Sequence, residues 1–129
     1  MTDSISQLVS TIKNGYLARK NQVFIPYSKF KEKILSVLEK EGFLEKVEIE
    51  GEKQKKQLVC FLGYKDKKPI LTEIKVISKP GLRVYQTAKK GKNFLKGLKI
   101  RIVSTPQGVM KESEAVKKNL GGEVILEVY

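Results

Sequence analysis

Apolar residues recur at helical spacing at Ile5, Leu8, Val9, Ile12, Tyr16 and Leu17, which predicts a first helix over about residues 4–19. Asp3 or Ser4 is placed to cap its start, and Gly15 to weaken its end. Its polar face offers Lys13, Asn14, Arg19 and Lys20. Gln22 to Pro26 reads as a short strand, with Val23 and Ile25 on one side. Ser28 then caps a second helix carrying Phe30, Ile34, Leu35 and Leu38, which Gly42 stops, with Phe43 as the apolar residue after the glycine. Glu45 to Glu50 and Lys56 to Tyr64 are two strands of a hairpin joined through residues 51–55.

Asp66-Lys67-Lys68-Pro69 interrupts the pattern and reads as a linker. It divides the chain into an α-β-α-β-β part, residues 1–68, and a mostly β part, residues 69–129. The second part opens with a strand over residues 70–77. Lys79-Pro80-Gly81 is a type II turn signal, because proline sets the first corner and glycine takes the positive φ of the second. Leu82 to Tyr85 is the return strand, and it projects Arg83 and Tyr85 from one face. Lys89-Lys90-Gly91-Lys92 follows as a basic loop, and Phe94, Leu95 and Leu98 are spaced for a helical turn. A strand over 98–103 leads into a rigid loop, the stretch Val103-Ser104-Thr105-Pro106-Gln107-Gly108-Val109-Met110. A short helix over about 112–118 ends at Gly121-Gly122, and a last strand, 123–129, points Val124, Leu126 and Val128 inward. The pattern is an α/β chain of the α+β kind, built from two small packed parts.

Charge narrows the function. The chain has 26 Lys and Arg against 14 Asp and Glu, a net charge of +12 over 129 residues. Such an excess calls for a polyanionic partner, nucleic acid before an anionic membrane surface. It is unevenly placed: residues 74–111 contain ten Lys or Arg and no acid, whereas seven acids lie between Glu32 and Glu52. Lys29, Lys31 and Lys33 crowd the start of the second helix, the unfavourable end of its dipole. That placement fits either an external anion or a solvated helix face. No apolar run reaches the roughly 20 residues of a membrane span. The N-terminus lacks the basic and apolar regions of a signal peptide.

Catalysis and metal binding find little support. There is no histidine to serve as a base beside Ser104 or Thr105. The glycines match no phosphate-binding loop, and the acids read as helix and hairpin surface rather than a metal cluster, so no cofactor is expected. The single cysteine, Cys60, sits in an apolar run and reads as a buried hydrophobe. RNA contact gives the residues of 74–111 a use: lysines neutralise phosphates, Arg83 forms forked hydrogen bonds, Tyr85 offers a stacking face, and Ser104 and Thr105 bond phosphates, 2′-hydroxyls or base edges. Structural roles compete at each position, a core for Tyr85 and a turn for the hydroxyl pair. A non-specific architectural protein would explain the charge and leave the hydroxyl loop idle.

Several motifs resemble one family. Val103-Ser104-Thr105-Pro106-Gln107-Gly108-Val109-Met110, then Glu114-Ala115, then Leu120-Gly121-Gly122-Glu123-Val124, are similar to the C-terminal signature of bacterial-type small-subunit ribosomal protein eight. Ser78 to Tyr85 resembles its preceding hairpin, and Ile12-Lys13-Asn14, Pro26-Tyr27-Ser28-Lys29 and Glu41-Gly42-Phe43 resemble its N-terminal motifs. The resemblance implies two packed α/β parts, no catalysis, and primary binding to the central domain of 16S-type ribosomal RNA, where the protein helps organise the platform. It further implies a monomer within the ribosome, cytoplasmic or organellar, beside small-subunit proteins five and twelve, with no membrane contact. Carried over by position, Ser104, Thr105 and Tyr85 are the leading RNA contacts. Arg83, Lys79, Gln107, Lys117 and Lys118 join them in the C-terminal part, and Lys13, Asn14, Lys29 and Lys31 in the N-terminal part. Pro106, Gly108, Gly121, Gly122 and Glu123 are implied to support the loop, Glu123 by bonding its amides. Pro106 and Gln107 depart from the family pattern, which has a small hydroxyl residue and a basic residue there. Val116 stands in place of a typical arginine.

Overall fold

The computed structural model describes residues 4–79, 81–87 and 99–129. The basic loop at 89–92, the helical turn around Phe94, Leu95 and Leu98, and Pro80 lie outside the described residues. The chain divides into two compact units, Met1–Glu73 and Ile74–Tyr129.

In the first unit, α1 (Ser4–Leu17) buries Ile5, Leu8, Val9, Ile12 and Tyr16. Leu17 is 82% exposed, because the helix ends there and Arg19 turns into the left-handed region at φ 58°. Gly15 does not act as a helix breaker. It is buried, and a Cβ there would lie 2.5 Å from Val23 Cγ1 and 2.9 Å from Leu62 Cδ1, so its missing side chain lets α1 settle onto the strand β1 (Gln22–Pro26). A three-stranded antiparallel sheet runs in the order β1, β3 (Gln57–Phe61), β2 (Lys46–Glu50). The register sets Val23 opposite Cys60 and Ile25 opposite Leu58, and all four are buried.

The second helix, α2 (Lys29–Lys40), starts as its sequence dictates: the Ser28 hydroxyl accepts from the Lys31 amide at 3.1 Å. It ends on Gly42 at φ 84°, with Gly42 N–H donating to Glu39 O and Phe43 N–H to Leu38 O. The stretch read as a linker is the turn of a small hairpin, β4 (Tyr64–Lys65) and β5 (Lys68–Pro69). Asp66 and Lys67 both take positive φ there, 53° and 66°, the geometry of a type I′ turn made without glycine.

The second unit is built on β10 (Gly122–Val128). One edge of β10 pairs with β8 (Ile100–Thr105), which pairs in turn with β9 (Gly108–Lys111). The other edge pairs with β6 (Ile74–Val76) and with the two-residue β7 (Tyr85–Gln86). The strand expected over 70–77 is therefore confined to 74–76. A bulge at Ile125 shifts the β8–β10 register between Val124 and Leu126, so these two residues point to opposite faces. On one face Val103, Met110 and Val124 pack with Ala115 of α3 (Glu112–Lys117). The stop of α3 is not Gly121-Gly122. Asn119 takes φ 56° as its N–H donates to Val116 O and that of Leu120 to Ala115 O, and Gly122 already belongs to β10.

The Ser28 cap has a measurable consequence. Ser28→Ala should destabilise the chain by about 1 kcal/mol and Ser28→Asp by much less, because aspartate keeps the acceptor. Urea unfolding followed by circular dichroism gives the difference.

Candidate nucleic-acid interface

The segment expected to be a loop, within 103–110, is the end of a hairpin. Ser104 and Thr105 complete β8, Gly108 opens β9, and only Pro106 and Gln107 lie between the paired residues Thr105 and Gly108. Neither of these two has a positive φ, so the turn is of the unprimed kind that proline favours at its first corner. Gly108, at φ 125°, absorbs the resulting mismatch of twist. Thr105 is buried and committed to this turn: its hydroxyl donates to Gly108 O at 2.8 Å and accepts from the Gln107 amide at 3.2 Å. The Ser104 hydroxyl projects from the opposite face of the strand.

That face holds the other candidates. Glu123 stands opposite Ser104 on one side of β10 and opposite Tyr85 on the other. Directly opposed residues share a face, so Tyr85, Glu123 and Ser104 form one row across three strands. Tyr85 is 69% exposed and sits on this row without burial, which separates it from a core tyrosine. Ser78, buried beneath the preceding turn, fixes the approach to β7: its hydroxyl accepts from the Val84 amide at 2.9 Å and lies 3.3 Å from Val84 O. The turn itself closes through reciprocal bonds between Lys79 and Leu82, with Gly81 at φ 81°. Gly122 lets β10 approach β8 closely, because a Cβ there would strike the Ser104 carbonyl, its carbon 2.9 Å away.

The electrostatics differ from the linear pattern. Residues 74–111 lack acids in sequence, but β10 and α3 bring Glu112, Glu123 and Glu127 to them. Arg83 pairs with Glu123 at 3.3 Å, so the Glu123 carboxylate faces a guanidinium where loop amides were expected. Arg101 lies near Glu127 and Glu112, at 3.5 and 4.0 Å, and Lys99 lies 3.8 Å from Glu127. Lys118 pairs with Glu114 at 3.4 Å. Lys79 and Lys117 remain exposed, as do Pro106 and Gln107 at the hairpin tip, while Gly121 is half-buried. Burial pushes the Glu112 carboxyl above its ordinary 4.5, against the opposing pull of Arg101 and Gln86.

The N-terminal candidates lie on the other unit. Lys13 is exposed and pairs with Glu73 at 2.9 Å. Lys29 is exposed, whereas Lys31 keeps only 7% of its surface and lines a cleft of about 340 Å³ with Asn14, Ser6, Ser10 and Thr11. The structure thus joins Asn14 to Lys31 and separates Lys31 from Lys29. Cys60 is fully buried and burial pushes its thiol up to about 12, far from reactive. Among the described residues no group of three His, Cys, Asp or Glu side chains is placed to hold a metal, and no helix is long and apolar enough to cross a membrane.

Residues 3–129 match the family model described as ribosomal protein S8. Curated relatives carry the name small ribosomal subunit protein uS8. The one from Trichormus variabilis is 40% identical over 129 residues, covering 98% of this chain and 97% of its own. That from Trichodesmium erythraeum is 43% identical with the same coverage. That from Mycoplasmopsis pulmonis is 40% identical, covering 100% of this chain and 98% of its own.

The buried Glu112 predicts a pH dependence. A carboxyl whose folded pKa lies above its unfolded one binds more protons in the folded state, so its contribution to stability falls as pH rises. Wild type should therefore gain stability relative to Glu112→Gln as pH is lowered from 7 to below 4.5. Urea midpoints of the two proteins across that range check the sign, and a flat difference would show that Glu112 titrates normally.

Proposed function

The chain belongs to the ribosomal protein S8 family, and on that premise we propose that it binds small-subunit ribosomal RNA through the face carrying Tyr85, Glu123 and Ser104. It is a structural, non-enzymatic ribosomal protein. The proposed target is the central domain of that RNA, where the protein organises the platform beside small-subunit proteins five and twelve. The observation that carries the RNA reading is the row itself: an exposed aromatic ring and a hydroxyl held at fixed spacing on the two strands that flank β10, with the Arg83–Glu123 pair between them.

The roles follow from geometry. Tyr85 offers its ring for stacking and its phenol for a ribose, and Ser104 offers a donor and acceptor to a shallow minor groove. Gln107 at the hairpin tip adds an amide. Thr105, Pro106, Gly108, Gly121 and Gly122 shape the backbone that presents them. Arg83 orients Glu123, and Lys79, Lys117 and Lys118 supply attraction without sequence discrimination. Lys13, Asn14, Lys29 and Lys31 make a second RNA-contacting set on the N-terminal unit.

Filter binding against a central-domain RNA fragment and a scrambled duplex of equal length tests the target. The fragment should bind at least about a thousandfold more tightly. Equal affinities would leave only charge-driven coating of nucleic acid. The division of labour has its own test. Ser104→Ala should weaken specific binding by about 1 kcal/mol, roughly fivefold, and leave the salt dependence unchanged, because a hydroxyl releases no counterion. Lys117→Ala should flatten the salt slope by about 0.7–0.9. If Ser104→Ala flattens it equally, the hydroxyl is not a specificity contact.

A further inference from the structure

We propose that Arg101 is a positioning residue for RNA recognition, clamping Gln86, and through it Tyr85, to buried carboxylates on the face of the sheet opposite Tyr85 and Ser104. The proposal rests on the reading of Tyr85 as an RNA contact.

The observations come from four elements of one unit. Arg101 on β8 shares a face with Val103, which packs under α3, so its side chain leaves the sheet on the side opposite Ser104. From there Nη1 donates to Gln86 Oε1 at 2.8 Å. Since β10 lies between β8 and β7, this bond crosses the central strand. The same guanidinium faces Glu127 of β10 at 3.5 Å and Glu112 of α3 at 4.0 Å, both of them buried. Among the described residues Lys99 also faces the cluster, 3.8 Å from Glu127. An arginine in a protein of net charge +12 is thus turned inward.

What needs the clamp is β7. It has two residues, and its pairing with β10 consists of Gln86 opposite Gly122 and Tyr85 opposite Glu123. Two pairs hold a strand weakly. Tyr85 is 69% exposed, so packing of its ring does little to fix the strand. Gln86 points to the clamped face and Tyr85, its neighbour, to the other. A bond at Gln86 therefore sets the height and direction of Tyr85 without touching what Tyr85 touches. A planar guanidinium with several fixed donors suits one bridge to three partners.

A double-mutant cycle on the full chain decides it. Gln86→Ala removes the clamp on β7, together with the pull of Gln86 on the Glu112 carboxyl, and leaves Arg101 facing its two glutamates. Gln86→Ala alone should cost roughly tenfold in affinity for the central-domain fragment with an unchanged salt slope. In a Tyr85→Ala background it should cost less than about twofold, because the residue it positions is gone. Losses that multiply, or wild-type affinity for Gln86→Ala, would overturn the clamp. A readout without RNA separates this from failure of the binding reading. The Val124 amide donates to Val84 O at 2.8 Å and reports the docking of the segment that ends in β7. Its hydrogen exchange should accelerate about tenfold in Gln86→Ala, and unaltered exchange would overturn the clamp even if wild type binds RNA as proposed.

Discussion

The close approach of β10 to β8 at Gly122 is the constraint on which the candidate interface depends. With any larger residue there, the Ser104 carbonyl would have to move, and the hairpin of β8 and β9 with it. Because Gly122 permits the approach, Glu123 falls between Ser104 and Tyr85, two residues nineteen positions apart in the sequence. Strand pairing then does what no single turn could do: it places an aromatic ring, an ion pair and a hydroxyl in one row on a rigid support. Loops set the ends of this arrangement, but backbone ladders set its spacing. The proposed RNA recognition needs that spacing held before binding, since ordering it afterwards would subtract from affinity.

Much of this was legible beforehand. The Ser28 cap and the Gly42 stop followed by Phe43 follow from local rules, and the structure has both. Val124, Leu126 and Val128 are all buried, but the bulge at Ile125 puts Val124 on the face opposite Leu126, which simple alternation does not foresee. The failures share a physical origin in sheets and long-range contacts. Ser104 and Thr105 read as loop because they are polar and precede proline, yet Thr105 satisfies its hydroxyl within the turn and the ladder continues through it. Asp66 and Lys67 read as a linker because no glycine marks a type I′ turn there. Asn119 takes the left-handed position expected of the glycine pair two residues later. Lys31 looked like its neighbours Lys29 and Lys33, and only packing distinguishes it.

Electrostatics show the same lesson at larger scale. A stretch of 38 residues without an acid, 74–111, is not a stretch of unbalanced charge, because Glu112, Glu123 and Glu127 return to it through α3 and β10. Arg83 and Arg101 are held by those carboxylates, which turns them from sources of affinity into parts of the scaffold. On the proposed reading, long-range attraction is left to the lysines, whose flexible ammonium groups meet phosphates without demanding a sequence. Specificity then falls to neutral groups, Tyr85 and Ser104, whose contribution would not dissolve in salt. Tyr85 and Ser104 lie on one face of the sheet, and the buried ion cluster lies on the other.

The most direct measurement of this account is a titration of isotope-labelled protein with the central-domain RNA fragment, followed by amide chemical shifts in nuclear magnetic resonance. The amides of Tyr85, Glu123 and Ser104 should shift first and furthest, with Gln107 at the hairpin tip, while those of the buried Val59 and Cys60 in β3 stay in place. Shifts confined to the exposed lysines, with the row across β7, β10 and β8 unmoved, would contradict it.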